Sequence, residues 1–207
     1  MPRSLSPPDV EAFRTRLCDV AEKLFAARGP DGVTMREMAH ELGVSSMTPY
    51  RYFKDKDAIL AAVRTRAFNH FAAAMESAGI ESARKESAPQ IATARPGNAY
   101  LDFALAHPAA YRMMFDVSQP TFADYPELVA AMGRARLTMG AGLRELAAAG
   151  RFKGDVELAA YVFWSAMHGA VMLELAGLLE GSKLDARKIA KPALEALGKH
   201  FGLSELS

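Results

Sequence analysis

The sequence predicts an all-α protein, and three observations support that prediction. Apolar residues recur at intervals of three and four along most of the chain, which is the spacing that places them on one face of a helix. Residues that favour helix starts and ends bracket these stretches. No segment of useful length alternates between apolar and polar residues, as a half-buried strand does. The expected fold is therefore a set of packed helices.

The chain is long enough to bury a substantial core, and its charge is nearly balanced. Its 207 residues allow one large domain or two modest ones, and 50% of them are hydrophobic, which excludes general disorder. The formal net charge is +1; residues 1–66 carry 11 Lys and Arg against 9 Asp and Glu, whereas the rest carries 14 against 15. Any contact with nucleic acid must therefore use a local basic patch.

The stretch that begins at Thr34 predicts two short helices joined by a tight turn. Thr34 and Glu37 have the spacing of a capping box, in which each side chain accepts the other residue's backbone N–H, so a helix is expected to start here. Gly43 ends this helix because glycine tolerates the left-handed conformation of a helix end, and Ser45 or Ser46 can cap the next one. This is the layout of a helix-turn-helix, whose second helix enters the major groove of DNA.

Further helical stretches are predicted along the chain, each bounded by residues that favour helix termini. They run from Asp9 to about Arg28, Asp55 to about Ala78, Asn98 to Ala106, Pro108 to Phe115, Asp124 to about Gly150, Asp155 to Leu179 and Asp185 to about Phe201. Residues 79–97 are expected to form a connection or a broken helix, and residues 116–123 a loop.

Three of these helices carry specific expectations. The helix after Asp55 would be about 34 Å long at ~1.5 Å per residue, long enough to join a DNA-binding end to a distant effector-binding end. Asp124 and Glu127 have capping-box spacing, and Gly140 and Gly142 are expected to mark a kink or a close helix crossing. The helix after Asp155 is apolar nearly all round, so it is expected to be buried on several sides in a core or an interface.

Two stretches of the sequence resemble one known family. The DNA-binding domain of the TetR family of bacterial transcriptional regulators resembles the run from Thr34 to Leu60, which reads T-M-R-E-M-A-x-E-L-G-V-S-x-x-T-x-Y-R-Y-F-K-D-K-D-A-I-L. The WHG-type C-terminal regulatory domain of the same family resembles W-S-A-M-H-G at Trp164–Gly169 together with H-P-A-A-Y-R-M-M-F at His107–Phe115.

The resemblance implies a domain organisation and a set of partners. Residues 1–54 would form an N-terminal three-helix DNA-binding domain, and residues 55–207 a C-terminal helical domain for ligand binding and dimerisation. The last two helices would pair with their symmetry mates, and the homodimer would bind a near-palindromic double-stranded DNA operator with half-sites ~34–36 Å apart. A small-molecule effector would bind the C-terminal domain.

The DNA-contacting residues fall into two expected kinds, those that bind phosphates and those that read base edges. A helix start, exposed hydroxyls and basic side chains suit phosphate, and in the resembling family the positions of Thr34, Tyr50 and Lys56 commonly bind it. The candidates are Thr34, Arg36, Tyr50, Arg51, Tyr52, Lys54 and Lys56 for the backbone, and Ser45, Ser46, Met47 and Thr48 for the bases. Core packing is the favoured alternative for Phe53, and it remains open for Tyr52.

Pro49 departs from the family pattern, which more often has an aliphatic residue at this position. Proline lacks a backbone N–H and biases the preceding Thr48 away from helical geometry. In the first turn of a helix this is tolerated, because those N–H groups have no helical partner. The fold expectation stands, but the individual base contacts depend on how the chain accommodates Pro49.

Soft and aromatic side chains are concentrated in the middle of the chain, and they suit an apolar ligand cavity. The candidate ligand-binding residues are Tyr100, Phe103, Met113, Met114, Phe115, Met132, Met139, Trp164, Met167 and His168. Residue by residue, an ordinary core is the favoured explanation, and it is the family resemblance that supports a shared ligand cavity. His168 can bind a ligand or make a hydrogen bond between helices.

No feature of the sequence indicates an enzyme, a cofactor or a metal site. Nucleophile-elbow, P-loop, H-E-x-x-H and C-x-x-C motifs are absent, and the five histidines lack metal-ligand spacing. The lone Cys18 is expected to be a small buried hydrophobe, with redox sensing as the alternative. The N-terminus lacks the apolar core of a signal peptide, and the 16 uncharged residues from Leu158 to Leu173 fall short of the ~20 that span a bilayer. A cytoplasmic protein without a membrane segment is expected.

These expectations define one leading function and two alternatives. The leading one is a homodimeric, ligand-responsive DNA-binding regulator, most often a repressor in the resembling family. One alternative is a regulator whose own side chains fill the cavity, so that no ligand acts on it. The other is a helical ligand carrier or interaction protein without specific DNA binding, which only Pro49 favours.

Overall fold

The computed structural model describes residues 6–84, 89–116 and 122–203, and it confirms the all-α prediction. Helices and turns, but no strands, form this described part of the chain. The α-helices are α1 (Pro7–Arg28), α2 (Met35–Glu41), α3 (Lys56–Arg84), α4 (Pro89–Ala106), α5 (Pro108–Met114), α6 (Pro126–Met139), α7 (Ala141–Ala148), α8 (Val156–Leu175) and α9 (Ala186–His200). Two 3-10 turns, Pro49–Arg51 and Phe122–Asp124, lie between them.

The chain divides into two compact units. Residues 1–68 and 109–132 form the N-terminal unit, and residues 69–108 and 133–207 form the C-terminal unit. Helices α3 and α6 each contribute residues to both units. The boundary expected at residue 54 from the family resemblance concerns a functional domain, and it stays a prediction.

The predicted starts of α2, α3, α8 and α9 are capped as their sequences require. Thr34 and Glu37 form the expected capping box at α2. Asp55 accepts the Ala58 N–H at the start of α3 at 2.8 Å. Asp155 and Asp185 cap α8 and α9 in the same way. These side chains satisfy N–H groups that lack a partner within the helix, which fixes where each helix begins.

The expected capping box at Asp124 and Glu127 is wrong. Asp124 ends a 3-10 turn, and α6 begins at Pro126, with its first backbone hydrogen bond running from Val129 N to Tyr125 O at 3.1 Å. Proline favours the first helical position because its missing N–H would have no partner there. Most of the loop expected at residues 116–123 lies outside the described residues.

Helices α3 and α4 are longer than the sequence pattern indicated: within residues 79–97, expected to form a connection or a broken helix, residues 79–84 and 89–97 are helical, and residues 85–88 lie outside the described residues. Gly79 lies within α3, and Pro96 and Gly97 lie within α4. A Cβ at Gly97 would lie 3.6 Å from Met167 Sδ, so the chain packs closely here. Helix propensity is a weak constraint that tertiary packing overrides.

Gly140 lies between α6 and α7, where a kink or a close crossing was expected within one long helix. Its backbone lies at φ −107° and ψ 6°, outside helical geometry. The Arg144 guanidinium on α7 donates to the Leu137 carbonyl near the end of α6. A Cβ at Gly140 would also lie 3.3 Å from Ala160 Cβ on α8, so a larger residue here would require α8 to shift by a few tenths of an ångström.

The core of the N-terminal unit forms where α1, α2, α3 and the residues around the 3-10 turn meet. Leu17, Phe25, Met38, Phe53 and Ile59 are among the buried residues of this cluster. Cys18 belongs to it at 3% exposure, as expected of a small buried hydrophobe. Burial raises the pKa of its thiol, which favours the less reactive protonated form.

Helix α8 is the most apolar helix, but it is buried on one side only within this chain. It packs closely against α9 and also contacts α4 and α7. Leu158 is 56% exposed, Tyr161 45% and Leu173 39%. By length and composition alone α8 could cross a membrane, a property that helices of soluble cores and interfaces share. The expectation that α8 is buried on several sides is therefore wrong for the single chain.

The capping box of α2 gives a pH-dependent prediction. Hydrogen bonds from Arg28 and Thr34 lower the pKa of Glu37 from 4.5 to about 2. A carboxyl that is more acidic in the folded protein stabilises it above the unfolded-state pKa, and this contribution is lost as the pH falls from 4.5 towards 2. We expect Glu37→Gln to lower the urea midpoint near neutral pH and to match the wild type near pH 2, with a smaller effect at high salt.

The matched control is Glu41→Gln on the same helix, followed over the same pH range by circular dichroism. An equal loss of stability for Glu37→Gln at both ends of the range would show that its charge is not the cause.

Candidate nucleic-acid interface and effector region

The turn after α2 directs the chain into the segment expected to read DNA. Gly43 has φ 65°, the left-handed conformation that the sequence predicted for this position. The Gly43 N–H donates to the His40 carbonyl and the Val44 N–H to the Ala39 carbonyl, both at 3.0 Å. The end of α2 is therefore closed by backbone bonds, and the chain leaves it in one direction.

Residues 45–51, here called the reading segment, form a much shorter helix than the sequence predicted. Thr48 N donates to Ser45 O at 2.9 Å, and a single 3-10 turn follows from Pro49 to Arg51. Thr48 takes the N-cap position, and its side chain makes no capping bond to the turn; neither Ser45 nor Ser46 is the N-cap residue. Pro49 is the first residue of this turn, where its missing N–H would have no helical partner.

Thr48 itself does not follow the bias expected before proline. Its backbone lies at φ −63° and ψ −45°, within the helical region. Pro49 is almost completely buried, so packing of its ring fixes the chain in this conformation. The burial outweighs the local preference of the residue before proline.

The candidate DNA-contacting residues lie at the surface to different degrees. Met47 is 67% exposed and Tyr50 49%. Exposed side chains also belong to Thr34, Arg36, Ser45, Ser46, Arg51 and Lys54, whereas those of Thr48, Tyr52 and Lys56 are half-buried. The structure therefore brings the expected reading and phosphate-binding side chains into one region of the N-terminal unit. Their contacts with DNA stay predictions.

Several of these residues already have partners within the protein. The hydroxyl oxygens of Ser45 and Thr48 lie 3.1 Å apart and share a hydrogen bond. The Thr34 hydroxyl donates to Glu37 Oε2 at 2.8 Å. Lys56 Nζ donates to the Pro30 carbonyl at 2.7 Å, which leaves the ammonium group two further hydrogens for a phosphate.

The two aromatic residues after the reading segment are used in packing. Phe53 is buried at 5% exposure, in agreement with the favoured interpretation. The Tyr52 ring stacks on Phe13 of α1, with ring centroids 4.2 Å apart. The ring of Tyr52 thus packs against α1, and a contact between its hydroxyl and DNA stays a prediction.

Three of the candidate effector residues form a chain of hydrogen bonds in the C-terminal unit. Trp164 Nε1 donates to the Tyr100 hydroxyl oxygen at 3.0 Å, and that oxygen lies 3.4 Å from His168 Nδ1. The tyrosine has one hydrogen, which can go to Nδ1 when the imidazole carries its own hydrogen on Nε2. Burial lowers the pKa of His168, which favours this neutral form.

Aromatic and apolar side chains surround this polar chain. The ring of Phe71 meets both Tyr100 and Phe103 edge to face, with centroids 5.5 and 5.2 Å apart. Tyr100 is fully buried and Met167 is 7% exposed. A polar triad in an apolar setting can orient a ligand, and it can equally well fix the packing of α4 on α8.

The candidate effector residues do not all belong to the same unit. Tyr100, Phe103, Met139, Trp164, Met167 and His168 belong to the C-terminal unit, whereas Met113, Met114, Phe115 and Met132 belong to the N-terminal unit. Met113 lies in the core cluster that also contains Phe53. The Phe115 ring contacts Phe68 and Tyr111. Core packing explains the burial of Met113, and ligand contact stays a prediction for the whole set.

Two arginines of the N-terminal unit have roles that the sequence pattern did not predict. Arg64 is 3% exposed and donates to the carbonyl of Met114, the last residue of α5, at 3.0 Å. Its position four residues after Leu60 on the apolar stripe of α3 was the available signal. Arg14 of α1 donates to the Tyr52 carbonyl at 2.7 Å, and no sequence pattern links two residues so far apart.

The part of the chain that the structure describes contains no group of three or more metal-binding side chains close together.

Family models match both halves of the chain. One described as bacterial regulatory proteins of the tetR family matches residues 17–63. Another, described as a tetracyclin repressor-like C-terminal domain, matches residues 93–197, about half of the chain.

Relatives and solved structures agree with these matches. An uncharacterized HTH-type transcriptional regulator from Mycobacterium tuberculosis is 29% identical over 176 residues, which cover 84% of this chain and 75% of that protein. A protein of unknown function from Rhodococcus sp. RHA1 has a TM-score of 0.78 at 27% identity, over 97% of this chain and 98% of that one. The regulator FadR from Bacillus subtilis, solved with stearoyl-CoA, has a TM-score of 0.68 at 20% identity, over 88% and 96% of the two chains.

HTH-type transcriptional regulators from Staphylococcus aureus match over a shorter stretch of the chain. One of them is 40% identical over 58 residues, which cover 28% of this chain and 31% of that protein. Together with the capped α2, the tight turn at Gly43 and the exposed reading segment, these matches show that the chain belongs to the TetR family, a non-enzymatic family of DNA-binding transcriptional regulators.

Proposed function

We propose that this protein is a homodimeric repressor that leaves a near-palindromic operator when a small apolar or aromatic effector binds. The reading segment carries this proposal, because it exposes Met47 and Tyr50 beside Arg51 and Lys54 on a backbone fixed by α2 and the core. Exposed polar and apolar side chains suit base edges, and the flanking cations suit phosphates. Such a protein acts where bacterial DNA lies, in the cytoplasm.

The exposed face of α8 supports the homodimer. Leu158, Tyr161, Met172 and Leu173 recur at helical spacing along this face and are all more than one-third exposed. Leu178 and Leu184, between α8 and α9, are 71% and 54% exposed. A contiguous apolar patch of this kind is expected to be covered by another protein surface. We propose that α8 and α9 of two chains pair across a two-fold axis, which matches the symmetry of a palindrome.

The hydrogen-bonded side chains of Trp164, Tyr100 and His168 support an effector site in the C-terminal unit. Their hydrogen bonds provide polar groups within an apolar setting, which suits a mostly apolar ligand with one polar group. The neutral imidazole favoured by burial can donate or accept a hydrogen bond, but it provides no positive charge for an anion.

Release of DNA follows from a shift of the protein between two conformations, one favoured by DNA and the other by the effector. Helix α3 contributes residues to both units, so an effector that favours one position of this helix also favours one arrangement of the DNA-binding residues. A tenfold change in operator affinity needs only ~1.4 kcal/mol of coupling between the two sites.

A helical ligand carrier without specific DNA binding is the second candidate. The observation that favours it is the reading segment, which has one 3-10 turn where the family resemblance predicts a helix. The exposed Met47 and the basic residues beside it favour the regulator, because these side chains suit contacts with bases and phosphates, which a ligand carrier does not make.

Selection of genomic fragments tests the DNA-binding function directly. Purified protein at about 150 mM salt should enrich one near-palindromic sequence from the source genome. Arg51→Ala should bind that operator more weakly, and the slope of log affinity against log salt should become shallower by ~0.9 for each phosphate that is no longer neutralised, ~1.8 for a dimer. Arg151→Ala, an exposed arginine of the C-terminal unit, is the matched control and should leave the slope unchanged.

Recovery of unspecific DNA alone, with and without cell extract present, would favour the carrier. An unchanged slope for Arg51→Ala would remove this residue from the set that binds phosphates.

The dimer is tested by placing a charge on the exposed face of α8. Gly169 is exposed, and a Cβ there meets no atom within 4 Å, so Gly169→Arg should fold as a monomer. We expect monomeric protein in analytical ultracentrifugation and a loss of operator affinity of about 100-fold or more, because the two half-sites are no longer bound together. Ala148→Arg on the exposed part of α7 is the control. If Gly169→Arg forms dimers of unchanged stability, this face of α8 is not the dimer interface.

A thermal-shift screen with apolar and aromatic compounds tests the effector site. A compound that binds the folded protein raises its melting temperature, by an amount that corresponds to ~2.7 kcal/mol at 100 times its Kd. We expect such a compound to weaken operator binding as well, and to bind less tightly to Trp164→Phe, which lacks the N–H that orients Tyr100. A compound that stabilises the protein equally with and without operator would contradict the proposed coupling.

A further inference from the structure

We propose that Phe13 and Arg14 of α1 position the reading segment for base recognition without themselves contacting DNA. This inference rests on the proposed DNA-binding function, because it concerns the geometry of the residues that read the operator. Phe13 and Arg14, here called the α1 clamp, both contact Tyr52, the residue that ends the 3-10 turn.

The reading segment needs such support because it has few bonds of its own. A 3-10 turn of three residues has poor hydrogen-bond geometry, and a single turn fixes several backbone angles for each bond it gains. The bonds within the segment are short-range, from Thr48 N to Ser45 O, from Arg51 N to Thr48 O and between the hydroxyls of Ser45 and Thr48. Contacts from outside the segment therefore add to these bonds in fixing the conformation of residues 45–51.

Arg14 contacts Tyr52 and Phe53, which follow the reading segment, through the edge and the face of its planar guanidinium group. Its Nη1 donates to the Tyr52 carbonyl at 2.7 Å, and its Cζ lies 4.1 Å from the centroid of the Phe53 ring. Its Nε lies 3.9 Å from Glu11 Oε2, which helps to orient the guanidinium. An arginine can donate in its plane and stack on an aromatic face at the same time, whereas a lysine cannot do both.

Phe13 holds the same residue through its side chain. The rings of Phe13 and Tyr52 stack with centroids 4.2 Å apart and planes inclined by 25°. Adjacent residues of α1 thus hold Tyr52 by its ring and by its carbonyl. Helix α1 has 22 residues and is anchored in the core by Leu17 and Phe25. The two residues of the α1 clamp therefore belong to a rigid element.

The clamp lies beneath the surface that is expected to meet DNA. The side chain of Arg14 is 34% exposed and its guanidinium is engaged by a carbonyl, a ring and a carboxylate. Met47 and Tyr50, in contrast, extend into solvent. Arg14 therefore fixes the backbone from which these side chains project. A phosphate contact by Arg14 is the alternative, and the two roles differ in their salt dependence.

The experiment compares operator binding of the full-length wild type, Arg14→Met and Arg14→Lys over a range of salt concentrations. Methionine keeps an unbranched apolar side chain but lacks the guanidinium group. Operator affinity should fall about tenfold for Arg14→Met and nearly as much for Arg14→Lys, since lysine lacks the planar group. The slope of log affinity against log salt and the affinity for unspecific DNA should stay at their wild-type values. Arg51→Ala is the control that changes the slope.

A second variant separates positioning from folding. Phe13→Leu keeps an apolar side chain in the core but loses the ring that stacks on Tyr52, and it should also lower the ratio of specific to unspecific binding. If Arg14→Met does not fold, this variant alone decides the proposal by the same ratio.

Three results would overturn the proposal. A salt slope shallower by ~1.8 per dimer in Arg14→Met, with near-normal binding by Arg14→Lys, would show that Arg14 binds a phosphate. Equal losses of specific and unspecific binding would show a general loss of folding, and unchanged operator affinity would show that the clamp has no role. Failure of the wild type to select any operator would instead contradict the proposed function itself.

Discussion

The burial of Pro49 and Phe53 on the core of the N-terminal unit is the constraint on which the DNA-binding region depends. These two residues lie at either side of Tyr50, Arg51 and Tyr52, and both are buried while Tyr50 is half exposed. Apolar burial fixes the backbone at two points, and the polar and basic side chains between them extend outward. The shape of the reading segment is therefore fixed jointly by its own hydrogen bonds, by the core beneath it and by the contact from α1.

The same principle explains why the sequence of this region conflicts with local preferences. Thr48 precedes a proline and yet has helical angles, because burial of the proline ring determines its position. Functional segments commonly break one local rule and depend on the surrounding structure for compensation. Here the compensation comes from Arg14 and Phe13, which lie 38 and 39 residues before Tyr52 in the chain.

The C-terminal unit combines an apolar exterior on α8 with polar groups inside. Tyr100 joins Trp164 and His168 of α8 within the unit, while Tyr161 and Leu173 of the same helix face outward. One helix therefore supplies side chains both to the proposed effector site and to the proposed dimer surface. In the proposed dimer, this arrangement would connect the effector site with the subunit interface through a single helix.

Spacing within the sequence was enough to predict the elements whose signals are local. The capping box at Thr34, the caps at Asp55, Asp155 and Asp185, and the glycine turn at Gly43 each involve residues within a few positions, so spacing alone predicted them. The all-α fold followed from the same kind of local pattern, because most apolar periodicity is set within single helices, whereas the family followed from the resemblance of two stretches to known motifs.

Only the tertiary structure decided the features that depend on distant residues. It shortened the second helix of the helix-turn-helix to one 3-10 turn, extended α4 through Pro96 and Gly97, and divided the expected effector residues between two units. It also brought Arg14 to Tyr52 and buried Arg64 against the end of α5. The physical reason is that burial and close packing outweigh intrinsic backbone preference, and contacts between distant residues leave no periodic trace in the sequence.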